Sequence, residues 1–274
     1  MNDEVTVSTR VTCVKPDGSR KVNNRAILRE HRLELWVNER LFGRLVCTPN
    51  HLEDLVVGRL ITEQIITGAD EIEELYICDS GNRARVFLKK DISFQQEVAE
   101  EPTCCADNKI YLQEAVPKVL NQMASNLQIP NPQNAGSTAE ASALRQKPLW
   151  EDSWVFAMVD AFLGDSALHR STGGTHSCVL AIEGKIIHVT EDIGRHNALD
   201  KIIGYVARQG LNREKCMVFT TGRVPVDMVR KMLAAGLPIL ISKSVPTMDA
   251  VELASQNGLT LICRAWPDSF EVFC

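Results

Sequence analysis

The chain has 274 residues, 45% hydrophobic and 24% charged, with a formal net charge of −5. That balance suits one large globular domain or two smaller ones and argues against a nucleic-acid-coating role, which needs a basic surface. No run of about 18 apolar residues occurs and the opening MNDEVTVSTR has no apolar stretch, so neither a membrane span nor a secretory signal is expected, and the protein is read as cytoplasmic.

In chain order, Arg25–Leu28, Arg32–Val37 and Leu41–Cys47 have strand character, with Asn38-Glu39 as a turn. Thr48-Pro49 opens an expected helix with Leu52, Leu55, Val56 and Leu60 at helical spacing and Glu53 and Asp54 in its first turn, where they suit the dipole. Glu71–Cys78 and Arg83–Lys89 read as strands joined by Asp79-Ser80-Gly81-Asn82. EEPTCCADNKIY is a polar loop with adjacent cysteines, and residues 129–140, IPNPQNAGSTAE, have linker composition. Trp154–Leu163 reads as a helix.

Beyond Ser177 the pattern is regular. Cys178–Ile182 and Ile186–Thr190 form an expected hairpin around Glu183-Gly184-Lys185, and Leu199, Ile202, Ile203 and Val206 mark a helix. Strand Cys216–Thr220, helix Val226–Ala235, strand Ile239–Ser242, helix Met248–Gln256 and strand Thr260–Cys263 follow, with Gly236 and Gly258 placed to end helices. Short apolar strands alternating with helices imply a sheet covered on both faces, and the hairpin makes it mixed. The fold class is therefore α/β, a three-layer mixed sheet with flanking helices plus a smaller N-terminal α+β part. The expected division is 1–100 for that part, 101–150 for the cysteine loop, a helix and a linker, and 151–274 for the α/β core.

Nine scattered cysteines argue against a disulfide framework, and no CxxC occurs. There is no GxGxxG after a strand and no GxxxxGK[ST]. His51-Leu52-Glu53 matches the HxE of zinc deaminases, but no PCxxC accompanies it, so no metal of its own is expected.

Three polar clusters directly follow strands: Glu191 to Asn197 (EDIGRHN), Thr221-Gly222-Arg223, and Ser242-Lys243-Ser244. In open α/β sheets ligands bind beyond the carboxyl ends of strands, and arginines with helix N-termini suit phosphate. Arg195, His196, Thr221, Gly222, Arg223 and Ser244, with Gly173 and Gly174, are expected to line one pocket for an anionic ligand. The plainer reading is that Asp192 or Asn197 caps a helix, Arg195 is a solvated charge and Gly173-Gly174 only a tight turn. His176 alone reads more readily as structural, whereas Arg195 and Asp192 would set the charge of His196. The adjacent Cys104 and Cys105 sit in a polar loop, as reactive thiols do, although adjacency alone decides nothing. A cysteine hydrolase using Cys178 and His176 is disfavoured, because residues two apart on a strand share a face without forming an in-line nucleophile–base pair.

TGGTHSCVL, VTEDIGRHNALDKIIG, TTGRVPVDMVRKMLAAGLPILISKSVPT, AVELASQNGLTL and, nearer the N-terminus, CTPNHLEDLVVGRLITEQII together resemble the FdhD/NarQ family of formate dehydrogenase accessory proteins. The resemblance implies a cytidine-deaminase-like core without the catalytic zinc. It implies a sulfur carrier that accepts persulfide sulfur from a cysteine desulfurase and passes it to the molybdenum bis-(molybdopterin guanine dinucleotide) cofactor before that cofactor enters formate dehydrogenase. Cofactor contact is then expected from Gly173, Gly174, His176, Asp192, Arg195, His196, Asn197, Thr221, Gly222, Arg223 and Ser244. The family's C-terminal GFxR-type segment aligns with Cys263 to Ser269 and adds Arg264, Ala265, Trp266, Pro267, Asp268 and Ser269, although its glycine, aromatic and arginine are not kept in place.

One departure bears on the chemistry. The family's CGxCG-type loop reads CCADNK here. Aligning Lys109 with the lysine that often follows that motif makes Cys104 the first cysteine, puts Cys105 on a glycine and Asp107 on the second cysteine. Cys104 is the expected persulfide carrier, with Cys105 the alternative. Lys109 favours a thiolate there, while Glu100, Glu101 and Asp107 oppose it. The competing function is a chaperone that holds the molybdenum cofactor or a guanine nucleotide without moving sulfur. The expected partners are a cysteine desulfurase and formate dehydrogenase; a homodimer is compatible with the sequence, and neither nucleic acid nor membrane is expected.

Overall fold

The computed structural model describes residues 5–90 and 149–274. Cys104 and Cys105, and the linker reading of 129–140, lie outside the described residues.

The chain opens with a two-stranded antiparallel ribbon, β1 (Thr6–Val14) and β2 (Arg20–Leu28). Sequence patterning expects only the end of β2, because the ribbon has no buried face: Val14 and Val22 are more than half exposed, and polar residues such as threonine, arginine and asparagine are interspersed along both strands. Next come β3 (His31–Val37) and β4 (Arg40–Cys47), joined by Asn38 and Glu39, both at positive φ as a tight hairpin turn requires. With β5 (Ile72–Ile77) and β6 (Arg83–Leu88) they build a four-stranded sheet in the order β4-β3-β6-β5, where β3 and β6 are parallel and the other neighbours antiparallel. Leu33, Leu35 and Val37 alternate with more exposed residues on β3, as do Ala84, Val86 and Leu88 on β6, so one face of this sheet is core.

Helix α1 spans Leu52–Thr62. It starts later than Thr48-Pro49 suggests, for two reasons. The Thr48 N–H and hydroxyl are taken by Asp192, and His51 sits at φ 53, ψ 40, outside the right-handed helical region.

The second half forms a six-stranded mixed sheet in the order β12-β11-β10-β9-β7-β8. Its strands are β7 (His176–Ile182), β8 (Lys185–Asp192), β9 (Cys216–Thr220), β10 (Ile239–Ser242), β11 (Thr260–Cys263) and a short β12 (Glu271–Val272). β9, β10 and β11 run parallel; the β7–β8 hairpin joins antiparallel through β7 against β9. Helix α2 (Asp152–Asp165) covers one face, and α4 (Arg195–Arg208), α5 (Val226–Ala235) and α6 (Met248–Gln256) belong to the other. A short α3 (Ala167–Thr172) links α2 to β7. Successive residues of each central strand serve opposite faces: Cys216 and Val218 join the core with α4 and α5, while Met217 and Phe219 pack with Val155, Met158 and Phe162 of α2. That double burial explains the unbroken apolar runs of these strands. The α/β class with a mixed sheet and flanking helices is what the chain adopts.

The two sheets share one continuous core that passes through α1 and α4. These helices cross with their backbones in contact. A Cβ on Gly58 would lie 1.8 Å from the carbonyl oxygen of Asp200, and one on Gly204 would lie 1.8 Å from that of Asp54. Only glycine at both positions permits the crossing.

Candidate functional site

Two polar regions meet the expected site residues, and they differ in kind. The first lies where β8 runs into α4. Asp192 and Lys201 are fully buried and pair at 2.6 Å. Asp192 Oδ2 also accepts from the Thr48 N–H (3.0 Å) and hydroxyl (3.1 Å), and Oδ1 accepts from the Gly194 N–H (2.9 Å) and Asn197 Nδ2 (3.1 Å). Asn197 Nδ2 further donates to the carbonyl of Val46 at 2.8 Å, and Lys201 donates to the Thr48 hydroxyl and to Asn50 Oδ1, each at 2.8 Å. Asp192 and Asn197 thus face inward, tying the end of β4 to the start of α4. One helical turn on, buried Asp200 accepts from Lys231 at 2.7 and 2.8 Å and from Thr62 at 3.1 Å, with Arg59 nearby at 3.9 Å. Arg59 also pairs with Glu63 at 3.1 Å. His196 lies beside this second group. Burial first, then Lys231, Arg195 and Arg59, push its pKa down to about 3, so it is neutral near pH 7. Asp192 is turned to Lys201 rather than to His196.

The second region is the carboxyl edge of β9, β10 and β11, where the start of β7 also lies. The loops there are stitched together by backbone bonds: Lys243 N–H to the Thr220 carbonyl (3.0 Å), Arg264 N–H to that of Ser244 (2.9 Å), and Ala265 N–H to that of Ser242 (3.0 Å). The Ser242 hydroxyl donates to the Gly222 carbonyl at 2.7 Å and accepts from the Ser244 N–H at 2.9 Å. Gly222 lies against the stem of Arg195, where a Cβ would come within 2.9 Å of it. The frame encloses a cavity of about 600 Å³.

Of the expected residues, Gly173, Gly174, His176, Thr221, Ser244, Arg264 and Trp266 line this cavity. The remaining expected residues are placed elsewhere. Arg195, His196 and buried Gly222 sit behind or beside it, exposed Arg223 points from the same loop outside the lining, Ala265 is in the core against α2, and Pro267, Asp268 and Ser269 are on the surface. His169, Thr175, Lys243 and Val245 line it as well. Lys243 is legible in the sequence as a cation on this edge. His169 gives no signal, because its helix α3 is too short to show periodicity.

None of the described lining residues is acidic, while Lys243 and Arg264 are cationic. The Lys243 ammonium lies 4.7 Å from the centroid of the Trp266 ring and 5.1 Å from that of Phe162, and Trp266 is 46% exposed. Arg264 pairs with Glu271 at 3.2 Å on the surface. Burial, then Arg195 and His169, hold His176 below the ordinary histidine range, and its Nδ1 lies 3.4 Å from the Thr221 hydroxyl. The lining thus offers an anion two cations, hydroxyl groups and a neutral imidazole, with an aromatic face alongside.

The buried cysteines have no part in such chemistry. Burial raises the thiols of Cys47, Cys178 and Cys263 to about 12 and that of Cys216 to about 11, so none is a ready nucleophile.

The sequence profile of the FdhD/NarQ family matches residues 28–274. The chain belongs to the FdhD/NarQ family. Within it, a Bacillus subtilis (strain 168) protein named sulfur carrier protein FdhD is 31% identical over 278 residues, covering 100% of this chain and 97% of that one. A Listeria innocua protein of the same name is 29% identical over 253 residues, covering 90% of this chain and 89% of its own length. A crystal structure described as that of a formate dehydrogenase accessory protein from Desulfotalea psychrophila superposes with a TM-score of 0.74 at 24% identity, over 98% of this chain and 96% of that one, and shares its fold. Among the described residues no helix is long and apolar enough to cross a membrane.

Proposed function

We propose that this FdhD/NarQ member is a sulfur carrier serving formate dehydrogenase. In this reading it accepts sulfur from a cysteine desulfurase as a persulfide on Cys104, with Cys105 the alternative, and delivers it to the molybdenum bis-(molybdopterin guanine dinucleotide) cofactor. The observation that carries the reading is the full-length match to a relative named sulfur carrier protein FdhD. The first step is an exchange. The Cys104 thiolate attacks the outer sulfur of the donor's persulfide, the donor's S–S bond breaks, and the donor cysteine leaves as a thiolate with no net oxidation.

The cofactor is cargo, and the cavity residues suit its guanine dinucleotide arms. Lys243 and Arg264 would hold the diphosphate, Thr221, Ser244 and His176 would supply hydrogen bonds, and exposed Trp266 would offer a face for the base. The segment 101–150 would carry sulfur, and the α/β core from 151, read as cytidine-deaminase-like, would hold the acceptor. The reducing cytoplasm suits a carrier whose thiol must stay free.

A chaperone that binds the cofactor without moving sulfur is the second reading. It is favoured by the loop itself, where Asp107 replaces the family's second cysteine among acidic neighbours. Intact-mass spectrometry after incubation with a desulfurase and cysteine separates the two. The carrier gains one sulfur, located on Cys104 or Cys105 and absent from the double alanine variant. If the double variant restores formate dehydrogenase activity as well as the parent in a strain lacking its own accessory protein, the chaperone reading replaces the carrier.

A further inference from the structure

Away from the cavity, the residue before α1, the first turn of α1 and the edge strand β8 bring His51, Asp54 and His188 together. One ligand atom from each, a ring nitrogen, a carboxylate oxygen and a ring nitrogen, lies within 4.8 Å of the others. Two of the three are held from outside the cluster, Asp54 by Arg208 and His188 by Tyr205. His51 occupies a left-handed conformation that is unfavourable for a residue with a Cβ. Its Nδ1 lies 3.6 Å from Asp54 Oδ2. Arg208 donates to the other carboxylate oxygen, Oδ1, at 2.6 Å and also pairs with Glu53. Asp54 is thereby oriented with Oδ2 toward His51. His188 stacks on Tyr205, with centroids 4.0 Å and planes 9° apart, and meets the His51 ring edge-on at 5.0 Å. Its Nε2 is buried and has no hydrogen-bond partner. A buried ring nitrogen left unsatisfied in an otherwise clamped imidazole calls for an explanation.

We propose that His51, Asp54 and His188 form a binding site for a divalent transition-metal ion of the zinc type, with a fourth position open to water. Two imidazoles and one carboxylate match Zn²⁺, Co²⁺ or Ni²⁺; Mg²⁺ and Ca²⁺ prefer all-oxygen sets. An ion among atoms already this close needs only small rotamer adjustments to reach bonds of ~2.0–2.2 Å. The sequence pattern hides the site. The HxE match at His51 comes without a PCxxC and leads to no metal expectation, whereas the fold brings Asp54 and, from the other half of the chain, His188 to His51. The ion would clip α1 to β8 and so stabilise the folded state by mass action. The proposal stands independently of sulfur transfer.

The test uses the full chain, stripped with EDTA, and Co²⁺ as the probe, because thiolate ligation from any cysteine would announce itself as intense charge-transfer absorption. The expected result is one equivalent bound without that absorption, with a raised thermal midpoint. In His51→Gln, which leaves the Tyr205 stack untouched, and in His188→Gln, affinity should fall by more than about 100-fold, beyond the ~10–100-fold typical of losing an outer-shell partner. If His188→Gln fails to fold, His51→Gln decides alone. Unchanged affinity in the variant, thiolate-type absorption at one equivalent, or no binding at millimolar Co²⁺ overturns the proposal.

Discussion

At the start of α4, Asp192 meets Lys201 at 2.6 Å with both side chains fully buried, and its carboxylate also accepts from Thr48, Gly194 and Asn197. At the cavity, Lys243 faces open space with no acidic residue among the described lining, and Arg264 pairs with Glu271 at the surface. Both regions follow strands and both are rich in charge and hydroxyl groups, so they look alike as sequence. The difference lies in how the charges are answered. A buried ion pair with saturated hydrogen bonds joins two halves of a fold, and its gain over an apolar equivalent is small even though breaking it is expensive. The Lys243 ammonium, held over aromatic rings at an open cavity, leaves room for an anion to be supplied.

The largest effect should come from the joint. Gly204→Ala would force a Cβ to 1.8 Å from the Asp54 carbonyl, and backbone cannot swing aside as a side chain can. We expect a loss of about 3 kcal/mol or more, or failure to fold, in denaturant unfolding; a stability equal to the parent would show that the helices do not touch. Asp192→Ala should cost about 3–5 kcal/mol, because Lys201 is left charged and buried without its anion. Near-normal stability in Asp192→Ala would show that water reaches the joint.

The pH dependence sharpens the contrast next. The unfolded chain protonates His196 near its ordinary pKa of 6.5, whereas the folded chain resists until about 3. The unfolded state therefore binds more protons below pH 6.5, and stability falls as pH drops through that window. His176 and His188, also lowered, act in the same direction. Replacing His196 with Asn should flatten the slope of unfolding free energy between pH 6.5 and 5 by about 1 kcal/mol per pH unit. An unaltered slope would mean that His196 is not sealed from solvent.

Effects at the cavity should appear in binding more than in stability. Lys243→Ala should weaken GDP binding by about ten- to a hundredfold in calorimetry while changing unfolding free energy by less than about 1 kcal/mol. Arg223→Ala should weaken GDP binding less, by under about 1 kcal/mol, since Arg223 is exposed and outside the lining. If Arg223 matters more than Lys243, the binding surface extends over the β9–α5 loop and the cavity is only its margin.

Much of the architecture is legible in the pattern of residues. Cys216–Thr220, Val226–Ala235 and Met248–Gln256 adopt the elements their periodicity implies, with the same ends. The ribbon of β1 and β2 is less legible because exposed strands carry no apolar alternation, and α3 and β12 are too short to declare a period. The same limit applies to the cavity. Thr221 and Ser244 are marked by their position after strands and His176 only by the family resemblance, whereas His169 belongs to it only because α3 folds back beside β7.

Local chemistry, then, determined by itself most of the longer, core-facing strands and helices, that the large sheet is covered on both faces, and which family the chain resembles. Periodicity and motif spacing are short-range properties, and they survive without knowledge of neighbours. Only the tertiary structure decided which polar residues are answered. Asp192 and Asn197 turn inward because Lys201, Thr48 and the Val46 carbonyl, the last two from the other half of the chain, reach them first. Gly58 and Gly204 are needed because two helices 146 residues apart in numbering touch at their backbones. Lys243 and Trp266 face one cavity because parallel strands end at the same edge. Each of these outcomes depends on long-range contacts, and the desolvation that gives a buried charge its meaning exists only once those contacts have formed.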